Sequence, residues 1–181
     1  MEQDILALET FLPYRLNRAA EAISREFSKI YRDRFGLTRP GWRTLATLGE
    51  FGTMTATAIG EHSSMHKTKV SRAVAELESR KWLSRTLDAA DRRIEHLALT
   101  RAGRGAYGEL VPLAKAFEQR LVEKLAPEQN SGLLAGLAAL ERMLGLASLK
   151  LNDAEAVRKT SGVAKDPSDS GHHDRRRALG R

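Results

Sequence analysis

The sequence predicts a mainly α-helical fold carrying one small β-hairpin, and three observations support this. Over most of the first 150 residues, apolar side chains recur every three or four positions, the spacing of one helix face. Around a polar loop at residues 88–93 the period drops to two, as in paired strands. No cysteine occurs among the 181 residues, of which 41% are apolar. The core must therefore come from apolar burial, and disulfides, thiolate zinc sites, iron-sulfur clusters and thiol switches are excluded.

The first element is a long amphipathic helix whose stripe begins at Leu8 and runs through Leu12, Leu16, Ile23, Phe27 and Ile30 to a stop at Gly36. Pro13 has to lie in its first turn, where a missing amide proton costs nothing. Thr38 offers the N-cap of a second, short helix through Trp42, Leu45 and Leu48, ending in the Gly49 to Gly52 stretch. Two more helices follow, Thr55 to His62 and Met65 to Arg80, with Ser63 and Ser64 as the turn and cap between them. Residues 83–87 and 95–99 alternate as strands. Thr100 caps the next helix, which ends before Pro127 and is expected to kink at Pro112. The last helix starts near Pro127 and carries more leucine than one face of a small domain needs. Residues 151–181 are polar, rich in Arg and Asp, and read as a disordered basic tail.

The net charge of +7 is unevenly placed. Residues 1–61 and 105–151 balance, whereas 62–104 hold 10 basic against 5 acidic side chains. One central positive block points to a polyanion. Its order, two short helices, a tight turn and a basic hairpin, is that of a helix-turn-helix with a wing, whose second helix enters the DNA major groove. With Val70, Ala73, Val74 and Leu77 turned to the core, the opposite side presents Thr68, Ser71, Arg72, Ala75 and Ser79, flanked by Lys69. Such a small, polar, basic face can approach the groove floor, where Arg72 can donate two parallel hydrogen bonds to a guanine edge. Ser64, His66 and Lys67 sit near the helix start, where the positive end of the dipole favours phosphate.

These residues resemble the multiple-antibiotic-resistance regulator (MarR) family of winged-helix transcription factors over about Leu8 to Leu149. Trp42-Arg43-Thr44-Leu45 resembles the family's second helix, and Met65 to Val74 its recognition helix. Asp91-Arg92-Arg93, followed by Leu97-Ala98-Leu99-Thr100 and Gly103, resembles its wing signature. The resemblance implies that Arg93 enters the minor groove, that Asp91 holds it, and that Arg92 meets a phosphate; narrow minor grooves attract arginine through their enhanced negative potential. Two departures stand out. Lys81 replaces the glycine that often ends the recognition helix, and Ser63-Ser64 replaces a turn that often contains one, each at about 1 kcal/mol if left-handed.

Two-fold readers of paired half-sites are dimers. The surplus leucines suit that role, which assigns 8–35 and 101–150 to dimerisation and 38–100 to DNA; alternatively they complete a monomer core. The resemblance further implies a repressor released by a small aromatic or phenolic effector, with Tyr14, Arg15, Arg18 and Trp42 as candidate pocket residues. A sequence-independent DNA-compacting or RNA-binding protein would use the same positive block. His62, His66 and His96 lack metal-ligand spacing, and no phosphate loop, nucleophile elbow or carboxylate pair suggests an enzyme. No metal or other cofactor is expected. Nor does any targeting or membrane-spanning segment appear, so the expected location is the cytoplasm.

Overall fold

The computed structural model describes residues 5–146. The basic tail, with Arg175 to Arg177 and His172-His173, lies outside these residues. In chain order the described elements are α1 (Leu12–Phe35), α2 (Arg39–Phe51), α3 (Ala56–His62), α4 (Lys67–Ser79), β1 (Leu83–Leu87), β2 (Glu95–Leu99), α5 (Arg101–Val122) and α6 (Pro127–Met143). The mainly helical fold with one hairpin is as the sequence predicts. No helix among the described residues is long and apolar enough to cross a membrane.

The apolar stripe reaches back to Leu8, but α1 itself begins at Leu12, with Pro13 in its first turn as expected and residues 8–10 in a turn. Pro13 sets that start: it is tolerated only in the first turn, so regular helix cannot continue upstream of it. At the other end Gly36 is left-handed, at φ 60°, and closes the helix. The Thr38 hydroxyl caps α2 by accepting the Gly41 N–H at 3.1 Å. This helix runs through Gly49 and stops only at Gly52. Glycine at 49 serves packing, because a Cβ there would lie 2.5 Å from the Tyr107 ring of α5.

The turn before α4 also differs from expectation. Ser64 is left-handed, at φ 50°, and the N-cap is His66, whose side chain makes no capping bond. A residue in that conformation reverses the chain but cannot supply the extended backbone a cap needs, so the cap moves two residues on. At the far end of α4 the Trp82 N–H reaches Leu77 O at 2.9 Å and the Lys81 N–H reaches Glu78 O at 2.8 Å. This is the Schellman arrangement, with Lys81 at φ 60° where glycine is usual.

Leu45, Leu48, Ile59, Val70, Leu77 and Leu97 are almost wholly buried and join α2, α3, α4 and the hairpin into one core, against which Ala106 and Leu110 seat α5. The strands pair antiparallel from Leu83↔Leu99 to Leu87↔Glu95, and Met54 bridges to Leu97 on the outer side of β2. Helix α5 starts against the hairpin: Thr100 accepts the Gly103 N–H and donates to Lys81 O at 2.7 Å. A Cβ on Gly103 would lie 2.0 Å from Trp82 O, so only glycine fits. Pro112 lies within α5, which continues past it. Both Pro112 and Gly108 are exposed, so water can take the carbonyl that the proline leaves unmatched. Helix α6 buries no residue at all.

Candidate nucleic-acid interface

Helix α4 divides as its spacing requires. Val70, Ala73, Val74 and Leu77 are buried, while Lys67, Thr68, Lys69, Ser71, Arg72, Ala75 and Ser79 are exposed. No acidic residue occupies its first turn, so the dipole's positive end and two lysines add in sign. Ser64 and His66 are exposed just ahead of the helix, in the turn and at the cap, and His66 Nδ1 lies 3.5 Å from the Thr68 hydroxyl.

The two acidic residues further along α4 are engaged elsewhere. Glu76 accepts the Thr38 hydroxyl at 2.6 Å and pairs with Arg80, whose guanidinium donates to Phe35 O and Gly36 O, both at 2.7 Å, and lies over the Trp82 ring. Through these bonds the helix is tied to the ends of α1 and α2. Glu78 accepts two hydrogen bonds from Arg85 of β1, which hold its carboxyl below the usual range. On the other side Arg43 of α2 donates to Ser63 O at 3.2 Å and steadies the turn; burial, and then nearby Arg39, lower its pKa.

The wing tip is organised by two aspartates. Asp88 Oδ1 accepts the N–H groups of Ala90 and Asp91 at 2.8 and 2.9 Å, while its Oδ2 lies 2.9 Å from His96 Nε2. The His96 bond first, then the turn amides of Asp91 and Ala90, bring the Asp88 carboxyl down to about 2. Asp91 Oδ1 accepts the Arg93 N–H at 2.9 Å. The aspartate therefore holds the arginine by its backbone. Asp91, Arg92 and Arg93 are all exposed. Sequence reasoning missed Asp88 and His96; an aspartate two and three residues before turn amides is the signal that could have found the first.

Some of the described cations are held in ion pairs. Arg18, Lys29, Arg39, Arg80 and Arg85 have carboxylate partners. Among the described residues, no ion pair engages Lys67, Lys69, Arg72, Arg92 or Arg93. Five exposed, uncompensated cations thus lie on one helix face and the adjoining hairpin tip. The candidate effector residues, by contrast, are not brought together within one chain. Arg18 lies over Tyr14 and pairs with Glu9 at the open end of α1. Trp42 packs on Phe27 and Tyr31, about 20 Å further along that helix at 1.5 Å per residue.

This combination defines a winged helix-turn-helix protein. The MarR family model matches residues 35–94. A MarR family transcriptional regulator from Silicibacter pomeroyi DSS-3 has a similar structure, with TM-score 0.68 and 31% identity over 76% of this chain and 97% of that one. The structure of Bordetella bronchiseptica BpsR, described for regulation of its DNA binding by 6-hydroxynicotinic acid, is similar at TM-score 0.65 and 25% identity, covering 72% of this chain and 98% of that one. The S. aureus MepR–DNA complex matches at TM-score 0.64 and 25% identity, covering 74% and 99%. Among curated protein sequences, none matches. The chain belongs to the MarR family and is a DNA-binding transcriptional regulator.

Proposed function

We propose that the chain is a homodimeric repressor of a pseudo-palindromic operator, with α4 in the major groove and Arg93 in the adjacent minor groove. The observation that carries this reading is the set of five exposed cations without carboxylate partners, on the helix face and hairpin that duplex would meet. Ser64, His66, Lys67 and Arg92 take the phosphate positions at the rim, Thr68, Lys69, Ser71 and Arg72 face base edges, and Asp91 fixes Arg93 through its backbone. The similarity to a MepR–DNA complex supports the docking. The exposed leucines of α6 and apolar residues of α1 support a dimer surface drawn from residues 8–35 and 101–150, with 38–100 as the reading part. The pair sets two recognition helices about 34 Å apart, one duplex turn.

In this reading a small aromatic acid releases the repressor. BpsR, which responds to 6-hydroxynicotinic acid, supports this. So does the indole N–H of Trp42, which is buried without an acceptor among Phe27, Tyr31 and their neighbours. Competition binding tests the whole proposal: the protein's own upstream duplex should be preferred over random duplex by about a thousandfold at physiological salt. Equal binding would make it a sequence-independent binder. Arg72→Ala should cost about 1–3 kcal/mol and relax one base position, and Arg93→Ala should lower the salt slope by about one.

A further inference from the structure

Arg85 belongs to the positive block yet is bound on both sides by carboxylates. Its Nε and Nη2 meet Glu78 Oε1 and Oε2 at 3.0 and 2.9 Å, the two-pronged geometry that suits a guanidinium, and its Nη1 donates to Glu95 Oε2. Glu78 is on α4, Arg85 on β1 and Glu95 on β2, so one side chain joins the recognition helix to both strands of the wing. The register shows why the three meet. Arg85 stands opposite Leu97, and with a period of two Leu83, Arg85, Glu95, Leu97 and Leu99 share one face of the hairpin. Leu83, Leu97 and Leu99 are buried at the base of that face, whereas residues 84–87 of β1 are exposed. A two-stranded hairpin is marginal alone. Beyond its buried base, the wing has this ion bridge where a core would otherwise hold it.

We propose that Arg85 is a positioning residue: it stays off the duplex and fixes the angle of the wing against α4, so that Arg93 reaches its groove while α4 occupies the next. This rests on the docking proposed above. Counting charges supports it, because two carboxylates around one guanidinium leave the cluster at −1, which repels a phosphate. Both Glu78 and Arg85 have pKa values displaced in the direction that keeps the pair charged, chiefly through their mutual hydrogen bonds.

Glu78→Gln gives the sharpest test. Removing a carboxylate from a DNA-facing surface ordinarily tightens binding by relieving repulsion. Here Glu78→Gln should weaken binding to the protein's own upstream duplex by about three- to tenfold. In an Arg92→Ala/Arg93→Ala background the same change should have almost no effect, since the misplaced tip carries nothing. Unchanged or tighter binding, or a loss that persists in that background, would overturn the inference. Amide hydrogen exchange of the free protein gives a reading without DNA: residues 84–87 and 95–96 should exchange faster in Glu78→Gln while α2 and the core of α4 do not. Equal rates would overturn the proposal as well. Arg93→Ala without loss of affinity would instead sink the placement of the wing in the groove.

Discussion

The winged part differs in its treatment of apolar residues from the first half of α1 and from α6. In the winged part Leu45, Ile59 and Leu77 are fully buried, and the hairpin contributes Leu83, Leu97 and Leu99 to the same core. In α6, Leu133, Leu134 and Leu137 are 48%, 58% and 43% exposed, and on α1 Leu12, Leu16 and Ile23 are open as well. The reading unit therefore completes its core within one chain, while the ends hold an exposed apolar surface, the one that the proposed dimer would cover. Exposed apolar area on this scale marks an interface.

The deepest break in that comparison should come from Leu45→Ala, which removes a fully buried side chain from the self-contained half. Stability should fall by about 2–5 kcal/mol in denaturant unfolding. Next in size, Leu134→Asp with Leu137→Asp should give a monomer in sedimentation, with helical circular dichroism retained and operator affinity down by at least about a hundredfold. Unfolding of that variant would show that the winged part does not stand alone, and the contrast between the halves would be lost. Lys81→Gly should raise stability by about 1 kcal/mol, because glycine meets no penalty at the left-handed position after α4. A loss there would mean that the lysine side chain matters more than its backbone.

The smallest effect concerns the wing tip. The Asp88 carboxyl, held near 2 against an ordinary 3.8, is depressed in the folded state. Its stabilisation is complete above the ordinary value and is lost as pH falls from about 4 toward 2. Carboxyl resonances of Asp88 should accordingly titrate near 2. An ordinary titration near 3.8 would show that the His96 bond is not kept in solution.

Much of this fold was legible because its signals are local. Both strands, 83–87 and 95–99, run as their period-two alternation indicated, and the buried face of α4 is Val70, Ala73, Val74 and Leu77 as helical spacing required. Lys81 and Ser64, which stand where the resemblance led to an expectation of glycine, do adopt left-handed backbone. What escaped depends on partners distant in sequence. The Met54–Leu97 bridge spans 43 residues, and nothing in the Gly52 to Thr55 segment announces a strand. Arg85 and Glu95 meet diagonally across the hairpin, but Glu78 stands 7 residues before Arg85 on a different element, and no single periodicity brings it to them. The candidate DNA-contacting residues of α4 were legible as exposed positions, since periodicity tells inside from outside. Which cations lack partners was not, because pairing is settled only when three elements converge.

The missing side chain at Gly103 has a mechanical consequence. With no atom between them, the start of α5 rests on the Trp82 carbonyl, and Thr100 is bonded to Lys81 from the same joint. Through that contact a tilt of the long α5 shaft would be passed on to the hairpin like the turn of a key. In a paired molecule, anything that prises the two shafts apart would swing both hairpin tips with no hinge needed between them.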